Sequence, residues 1–480
     1  MTNHFECIVV GGGPVGTWIA CELKRAGIHV AVLERRSTPT RQSRALTIHG
    51  RSLELFALRG IADRLLAVGK PIPTGHYAIL DTRLDFSPFE TRFPYTLFVP
   101  QALTEAELGK HAQELGVDIR RGIEVKSIYD LGDRVHLNTG DGEYSADYVV
   151  GADGARSIVR DQAGIGFEGF AERNTLILAD VVLGVPPAEP IISLVNEAGA
   201  VMIAPLGDGK HHRIVLVDPH QASVSKSELV SLESVSQSVQ RILGRDFELR
   251  DPIWTSRFTD ETRLARTYNK GRVLLAGDAA HIHAPMGGQG MNVGLQDAMN
   301  LAWKLAAVIR GEAPQSLLNT YTAERRPVGE RLYSNTLAQV GLVTRFDPTV
   351  LAMRSTLNDL LEIPAVNRRF AGELSGFDVA YGPEAEKSMK AGKLDAGVRI
   401  PDIELIIGRA STSIHTLLKD AQWLHIAFEA SAKAPRPEWL PDKSIRFEIA
   451  APQNPGKLSE LNAILVRPDG YVWSITNTME

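Results

Sequence analysis

GDAAHIHAPMGGQGMN, Gly277 to Asn292, places an acidic residue, a proline-containing loop and a glycine-rich helix entry between a strand and a long helix. Before it, RVLLA (Arg272 to Ala276) is an apolar run of strand length. After it, Met291, Leu295, Ala298, Leu301, Ala302, Leu305 and Val308 recur at helical spacing. Asp278 therefore falls at the carboxyl end of a strand, the edge at which open α/β sheets bind ligands. Gly287, Gly288 and Gly290 let backbone N–H groups approach a flat ligand with no Cβ in the way, and the positive end of the helix faces whatever is bound. Read alone, the stretch also fits a glycine-rich loop without a ligand.

Two further segments favour a ligand. ECIVVGGGPVGTWIACELKRAGIHVAVLERR near the start reads as a strand (Glu6 to Val10), a glycine turn, a helix (Pro14 to Arg25), a turn at Gly27 and a second strand (His29 to Leu33). Gly11, Gly13 and Gly16 fill the G-x-G-x-x-G pattern: the first for the tight turn, the second for approach to a pyrophosphate, the third for close helix–strand packing. Pro14 suits the first helical turn, where a missing N–H costs nothing. Glu34 follows the second strand, placed to accept hydrogen bonds from ribose hydroxyls. In DYVVGADGARSIVR, Asp147 to Arg160, Tyr148 to Val150 is a third buried strand, and Asp153, Arg156 and Arg160 crowd the turn made by Gly151 and Gly154.

With GGGPVG, GADGARSIVR and GDAAHIHAPMGGQGMN in this order, the chain resembles the class A flavoprotein aromatic monooxygenases, the para-hydroxybenzoate hydroxylase-like family, over essentially its whole length. NLAWKLAAVIRGEAPQSLLNTYTAERRPVGERL (Asn300 to Leu332) continues the likeness as a helical stretch, closest to the branch acting on polyketides and phenols. The resemblance implies non-covalent FAD, with NAD(P)H and dioxygen as co-substrates, and hydroxylation of a phenolic or polycyclic aromatic compound through a flavin C4a-hydroperoxide. Carried over by position, Gly11, Gly13, Pro14, Val15 and Gly16 would meet the FAD pyrophosphate, Glu34 and Arg35 the adenosine ribose region, Arg44 and Gln101 the central part, and Val125 the adenine through its backbone. Asp153 and Arg156 would serve both FAD and NAD(P)H. Asp278 would bind the ribityl–pyrophosphate region, Pro285, Met286 and Gly288 would lie in the flavin loop, and Gly290, Met291 and Asn292 would meet the isoalloxazine ring.

Composition agrees with a large enzyme. The length, 480 residues, allows about three domains with cores of their own. Basic and acidic residues nearly balance, 52 against 57, and no basic tract follows a phosphate backbone, which speaks against nucleic acid as a partner. The most apolar helix, Leu301 to Ile309, is interrupted by Lys304 and is shorter than a membrane span. The start runs straight into the glycine turn, with no signal peptide. Cys7 and Cys21 fall on the first strand and helix as ordinary buried thiols, which implies a reduced, cytoplasmic setting.

The expected fold is α/β: a Rossmann-type FAD-binding domain in three pieces (1–72, 98–174 and 270–377), an inserted mixed-sheet substrate domain (73–97 and 175–269), and a C-terminal α/β domain (390–480) for which the resemblance to the polyketide branch implies a thioredoxin-like fold. From Pro71 the composition shifts to Tyr77, Phe86, Phe89, Phe93, Tyr95 and Phe98, an aromatic insert. TLILADVVLG, AVMIAPLG and HHRIVLVD predict a sheet, with one helix over Lys226 to Leu243. Closing helices run to about Phe377. The last hundred or so residues read as a separate module, with Pro468-Asp469-Gly470 as a hairpin-type turn. The tail contains no cysteine, so thiol exchange is excluded and a structural or oligomer-forming role is preferred.

An oxygenating flavin needs its anionic reduced form stabilised, water kept out and the substrate placed. The helix entered at Gly290 answers the first need; Ala284-Pro285-Met286 and the aromatic insert are candidates for the second. No titratable residue stands out as a base for a phenol. His281 and His283 lack the acids or thiols that would complete a metal site, so packing or hydrogen bonding around the loop is the reading. The arginines at 35, 36, 41 and 44 also fit a solvated charge run, and of these Arg44 carries the family match. No second G-x-G-x-x-G unit is present, so NAD(P)H would bind transiently and its type is not chosen. The alternatives are an antibiotic-inactivating flavin monooxygenase of rifamycin or tetracycline type, a flavin oxidase or reductase without oxygen insertion, and a non-catalytic flavoprotein. A halogenase is disfavoured because its G-W-x-W-x-I-P signature is absent.

Overall fold

The computed structural model describes residues 3–40, 45–189, 191–454 and 456–477; Arg41 and Arg44 lie outside them. Four parallel pairings build the sheet that positions the site. Asp118–Arg121 lies beside Val30–Glu34, followed by His4–Val10, Gly142–Gly151 and Val273–Leu275. Strands covered on both faces need continuous apolar runs, which CIVV, VAVL, YVV and VLL supply. Their register brings Val10 opposite both Leu33 and Gly151, and Gly151 opposite Leu275. Three carboxyl ends therefore finish level, and the turns at Gly11, Ala152 and Ala276 leave the sheet at one edge.

The strand expected over Tyr148 to Val150 is longer, Gly142–Gly151. Its first half alternates, with Tyr144 and Ala146 buried, because there it pairs antiparallel with Val135–Thr139. Parallel pairing begins at Ser145, opposite His4, and the continuous apolar run follows from Tyr148.

Five antiparallel neighbours form the second large sheet, in the order Ile192–Asn196, Gly199–Pro205, His211–Val217, Thr175–Leu183 and Leu249–Thr259. Period-two alternation sends Ile177, Ala179, Val181, Val201 and Ile203 toward the helix Leu232–Leu243. Leu176, Ala200 and Val217 join a different cluster, with Tyr77, Leu80 and Phe86 of the aromatic insert. The helix does not begin at Lys226 as expected. Ser231 caps it by accepting from the Ser234 N–H at 3.1 Å, while Ser225 and Ser227 bond each other in the preceding turn.

After the loop 277–289 come Gly290–Ile309 and Asn319–Val343, then Pro348–Leu361 and Pro364–Ser375, the last ended by Gly376 at φ 77°. A further helix, Pro383–Lys390, lies beyond the expected end of the series.

The tail holds a four-stranded sheet ordered Ile445–Ile449, Trp423–Ala427, Leu461–Val466 and Val472–Asn477, with the first pair parallel and the others antiparallel. Among the described residues of this tail, Ile414–Leu417 is the one α-helix after Lys390. Gly470 N–H bonds Arg467 O at 3.0 Å, closing the turn expected at Pro468-Asp469-Gly470. The tail does not stand apart in its packing. Trp423 meets Trp303 of Gly290–Ile309 edge to face, ring centroids 5.2 Å apart, inside a shared cluster with Ala307, Leu440 and Leu465. No helix among the described residues is long and apolar enough to cross a membrane.

Candidate functional site

The three glycine-bearing turns meet where the sheet register delivers them. A Cβ on Gly11, which has φ 107°, would stand 2.3 Å from the Ala152 carbonyl oxygen, and one on Gly16 would stand 2.0 Å from Gly11 O. Both positions exclude any side chain, because two backbones pass within contact distance. Among the described residues, a Cβ on Gly13 would meet no atom within 4 Å. Its side faces open space at the start of Pro14–Arg25, a helix with no side-chain cap and no acid in its first turn. Unsatisfied N–H groups with room in front of them suit a pyrophosphate.

The other turns close on this one. Val15 packs on Gly277 and Gly294, where added Cβ atoms would lie 3.1 and 2.6 Å from it. Asp278 stands exposed in the 3-10 turn Gly277–Ala279 at the strand's carboxyl end, and a Cβ on Gly290 would come 4.0 Å from its Oδ1. Glu34 is nearly buried; its Oε2 accepts from Gly12 N–H at 2.7 Å and its Oε1 from Arg36 N–H at 2.9 Å. Each oxygen keeps a lone pair for a ribose hydroxyl. Arg35 is exposed beside it. Val125 is buried in Val125–Asp130, just after Ile123, whose N–H bonds Glu34 O at 3.1 Å.

Other side chains have structural work. Gln101 accepts from Ala45 N–H at 3.0 Å and donates to Glu105 at 2.7 Å. Asp153 does not meet Arg156. It accepts from Val159 N–H at 3.2 Å while its Oδ1 is buried with no hydrogen-bond partner among the described residues, and burial raises its carboxyl above the ordinary value. Arg156 is exposed. The connecting arginine is Arg160, which donates to Ala155 O at 3.1 Å and Ala279 O at 3.3 Å and so ties the second turn to the third.

At the helix entry Pro285 is exposed and Met286 buried. Gly287 and Gly288 have φ 69° and 65°. Gln289 leaves the helix without a side-chain cap, so the first N–H groups of Gly290, Met291 and Asn292 begin an open positive end. The Asn292 side chain turns away from that end. Its Oδ1 accepts from His49 N–H at 2.8 Å, and its Nδ2 donates to Gly288 O at 2.9 Å and Thr47 O at 3.1 Å.

Two groups were missed in the sequence. Asp297 is fully buried, accepting from Arg325 Nε at 2.7 Å, His281 Nε2 at 2.7 Å and Gly277 N–H at 3.2 Å. Burial alone would raise its carboxyl, but Arg325 and His281 hold it below the usual range. His281 thus pins the loop to the helix. His283 donates from Nδ1 to Ala284 O at 2.7 Å, and burial keeps its ring neutral. The second missed residue is His49, buried, with Nε2 donating to Gly287 O at 2.8 Å and Nδ1 accepting from Thr96 at 3.1 Å. Since a carbonyl only accepts, Nε2 carries the proton.

Burial lowers the His49 pKa from 6.5 to about 4. An unfolded histidine takes up its proton near pH 6.5, so acidification through this window favours the unfolded chain. The stability is full above that range and falls toward pH 4 by about 3 kcal/mol for such a residue. Apoprotein melting followed against pH is expected to show this slope, and His49→Gln to flatten it; an equal slope in the variant would count against a neutral His49.

Comparison with known proteins gives the same picture. The family described as "FAD binding domain" matches residues 4–336, and "Aromatic-ring hydroxylase, C-terminal" matches 394–479. An uncharacterized aromatic compound monooxygenase of Bacillus subtilis is 43% identical over 99% of this chain and 95% of its own. A rifampicin monooxygenase of Streptomyces venezuelae is 37% identical over 98% of this chain and 95% of its own. The solved anhydrotetracycline hydroxylase from Streptomyces rimosus superposes with a TM-score of 0.88 at 35% identity, covering 99% of this chain and 96% of that one.

Proposed function

The chain belongs to the FAD-dependent aromatic-ring hydroxylases, and from that premise we propose that it hydroxylates a phenolic, fused-ring compound of polyketide type. One observation carries the substrate class. Ala284 and Met286 of the flavin loop share an apolar cluster with Leu176, Ala200 and Val217 of the five-stranded sheet and with Tyr77, Leu80 and Phe86 of the insert. A multi-ring ligand between loop and sheet would exchange apolar contacts for apolar contacts, whereas a small polar one would leave them unmatched. Relatives named for anhydrotetracycline and rifampicin support the same reading.

FAD supplies, when bound, the transfer of reducing equivalents from NAD(P)H and the activation of dioxygen that side chains cannot provide. The protein's part is to hold and shield. Gly13 and the open end of Pro14–Arg25 take the pyrophosphate, with Gly11, Pro14, Val15 and Gly16 shaping the turn. Glu34, Arg35 and Val125 lie toward the adenosine, and Asp278 takes the ribityl–pyrophosphate region. Asp153 offers its unpartnered Oδ1 beside the first turn, with exposed Arg156 available to NAD(P)H. Pro285, Gly288, Gly290, Met291 and Asn292 present backbone to the ring, where the uncapped helix stabilises negative charge. The cluster around Met286 excludes water.

The five-stranded sheet and the aromatic insert together make the substrate-covering unit in this reading. The tail is read as thioredoxin-like from its strand order, and buried, unbridged Cys7 and Cys21 fit a cytoplasmic setting. The test is NAD(P)H oxidation by the FAD-loaded enzyme against single-ring and fused-ring phenols. Fused-ring compounds are expected to stimulate it about tenfold or more, since each 1.4 kcal/mol of extra binding is a factor of ten. Equal or stronger stimulation by single-ring phenols would remove the polyketide assignment.

A further inference from the structure

Helix Gly50–Ala57 touches the flavin loop at one end and the C-terminal tail along its side. At its entry His49 grips Gly287 O and Asn292 Oδ1, at 2.8 Å each. On its body, Arg51 and Glu54 are buried and joined at 2.9 Å. Arg51 Nη2 donates to Asp469 O at 2.9 Å, and its guanidinium lies over the Tyr471 ring at 5.0 Å. Glu54 Oε1 receives Arg399 Nη1 at 2.6 Å. Just past the helix, Arg59 donates to Pro468 O and Leu418 O, both at 2.9 Å, and pairs with Glu22 of Pro14–Arg25.

This helix has no room to slide. A Cβ on Gly50 would stand 2.4 Å from the Phe377 ring and 2.6 Å from Phe93 O. The loop it grips is the opposite: Gly287 and Gly288 both sit at positive φ, where glycine has little intrinsic preference to hold a shape. Two bonds reach these glycines from outside the loop, His49 on Gly287 O and Thr47 on Gly288 O, beside the internal bond from Asn292 to Gly288 O.

We propose that the C-terminal segment positions the flavin loop through this helix, with Arg399 and His49 as positioning residues at the two ends of one rigid relay. It rests on the reading that residues 284–292 lie against the FAD ring. The tail is then part of the cofactor site's framework, which gives a tail without cysteine a reason to be packed against the flavin domain.

Hydrogen–deuterium exchange on the full chain, with and without FAD, tests this in the wild type, Arg399→Met, Arg399→Lys, His49→Ala and the Arg399→Met/His49→Ala pair. Exchange of the 284–292 amides in apoprotein is expected to quicken about fivefold in Arg399→Met, to be partly restored in Arg399→Lys, and to be no faster in the pair than in His49→Ala alone, as coupled residues behave. The visible flavin band of loaded Arg399→Met is expected to shift as well. Unchanged exchange at 284–292 while the tail loosens, or effects that multiply in the pair, would overturn the relay. If Arg399→Met does not fold, Arg399→Lys decides: quickened 284–292 exchange supports the relay and wild-type exchange overturns it. Failure of FAD to protect 284–292 in the wild type would instead remove the loop from the flavin site, a result separate from the coupling seen in apoprotein.

Discussion

Gly13→Ala is expected to leave the apoprotein folded and to weaken FAD binding about 100-fold, roughly 2.7 kcal/mol. Gly13 has φ −74° and ψ −177°, a conformation open to any L-residue, and an added methyl would meet no atom of the described residues within 4 Å. The cost to the fold is confined to replacing glycine at a helix N-cap, no more than about 1 kcal/mol. The methyl would occupy the space in front of the open helix end, where the pyrophosphate must come close. Gly16→Ala is the contrasting control, because its Cβ would lie 2.0 Å from Gly11 O and the turn itself must give way. Apoprotein melting and fluorescence titration with FAD separate the two. Unaltered FAD affinity in Gly13→Ala would take the pyrophosphate away from this turn.

Asp297→Ala is expected to have the largest effect on stability, about 3–5 kcal/mol, because it leaves a buried cation without its partner. Both Asp297 and Arg325 are fully buried, and no solvent can replace the carboxylate. The lost acceptor also releases Gly277 N–H and His281, so the turn bearing Asp278 should loosen and FAD retention should fall with stability. Replacing both partners with apolar residues, Asp297→Leu with Arg325→Met, should recover part of the loss, since neither charge then remains buried. Urea denaturation of the three apoproteins measures this; a double variant no better than Asp297→Ala would mean that the carboxylate acts through the Gly277 and His281 bonds rather than through the ion pair.

What the sequence revealed was local. The G-x-G-x-x-G turn and the GDAAHIHAPMGG loop declare themselves because glycine positions are dictated by backbone approaches between neighbouring strands and helices. The partners of the Asn292 side chain are not legible locally, since Thr47 and His49 come from a distant segment. His49 itself carries no local signal: its partners Gly287 and Asn292 are brought to it by the packing of Gly290–Ile309. Arg156 and Arg160 sit four apart in one motif, and only the short helix Ile158–Gln162 decides which turns inward. The Asp297–Arg325 pair spans two helices and reads on paper as two ordinary helical charges. The same holds for the start of Leu232–Leu243, where a serine cap overrides a polar run compatible with helix.

The oxygen-inserting activity at the centre of this account is tested most directly by the mass of product formed from a stimulating phenol under labelled dioxygen, with NAD(P)H and the FAD-loaded chain. The account predicts one labelled oxygen atom in the product. NAD(P)H consumed with peroxide alone released, and an unlabelled phenol recovered, would contradict it.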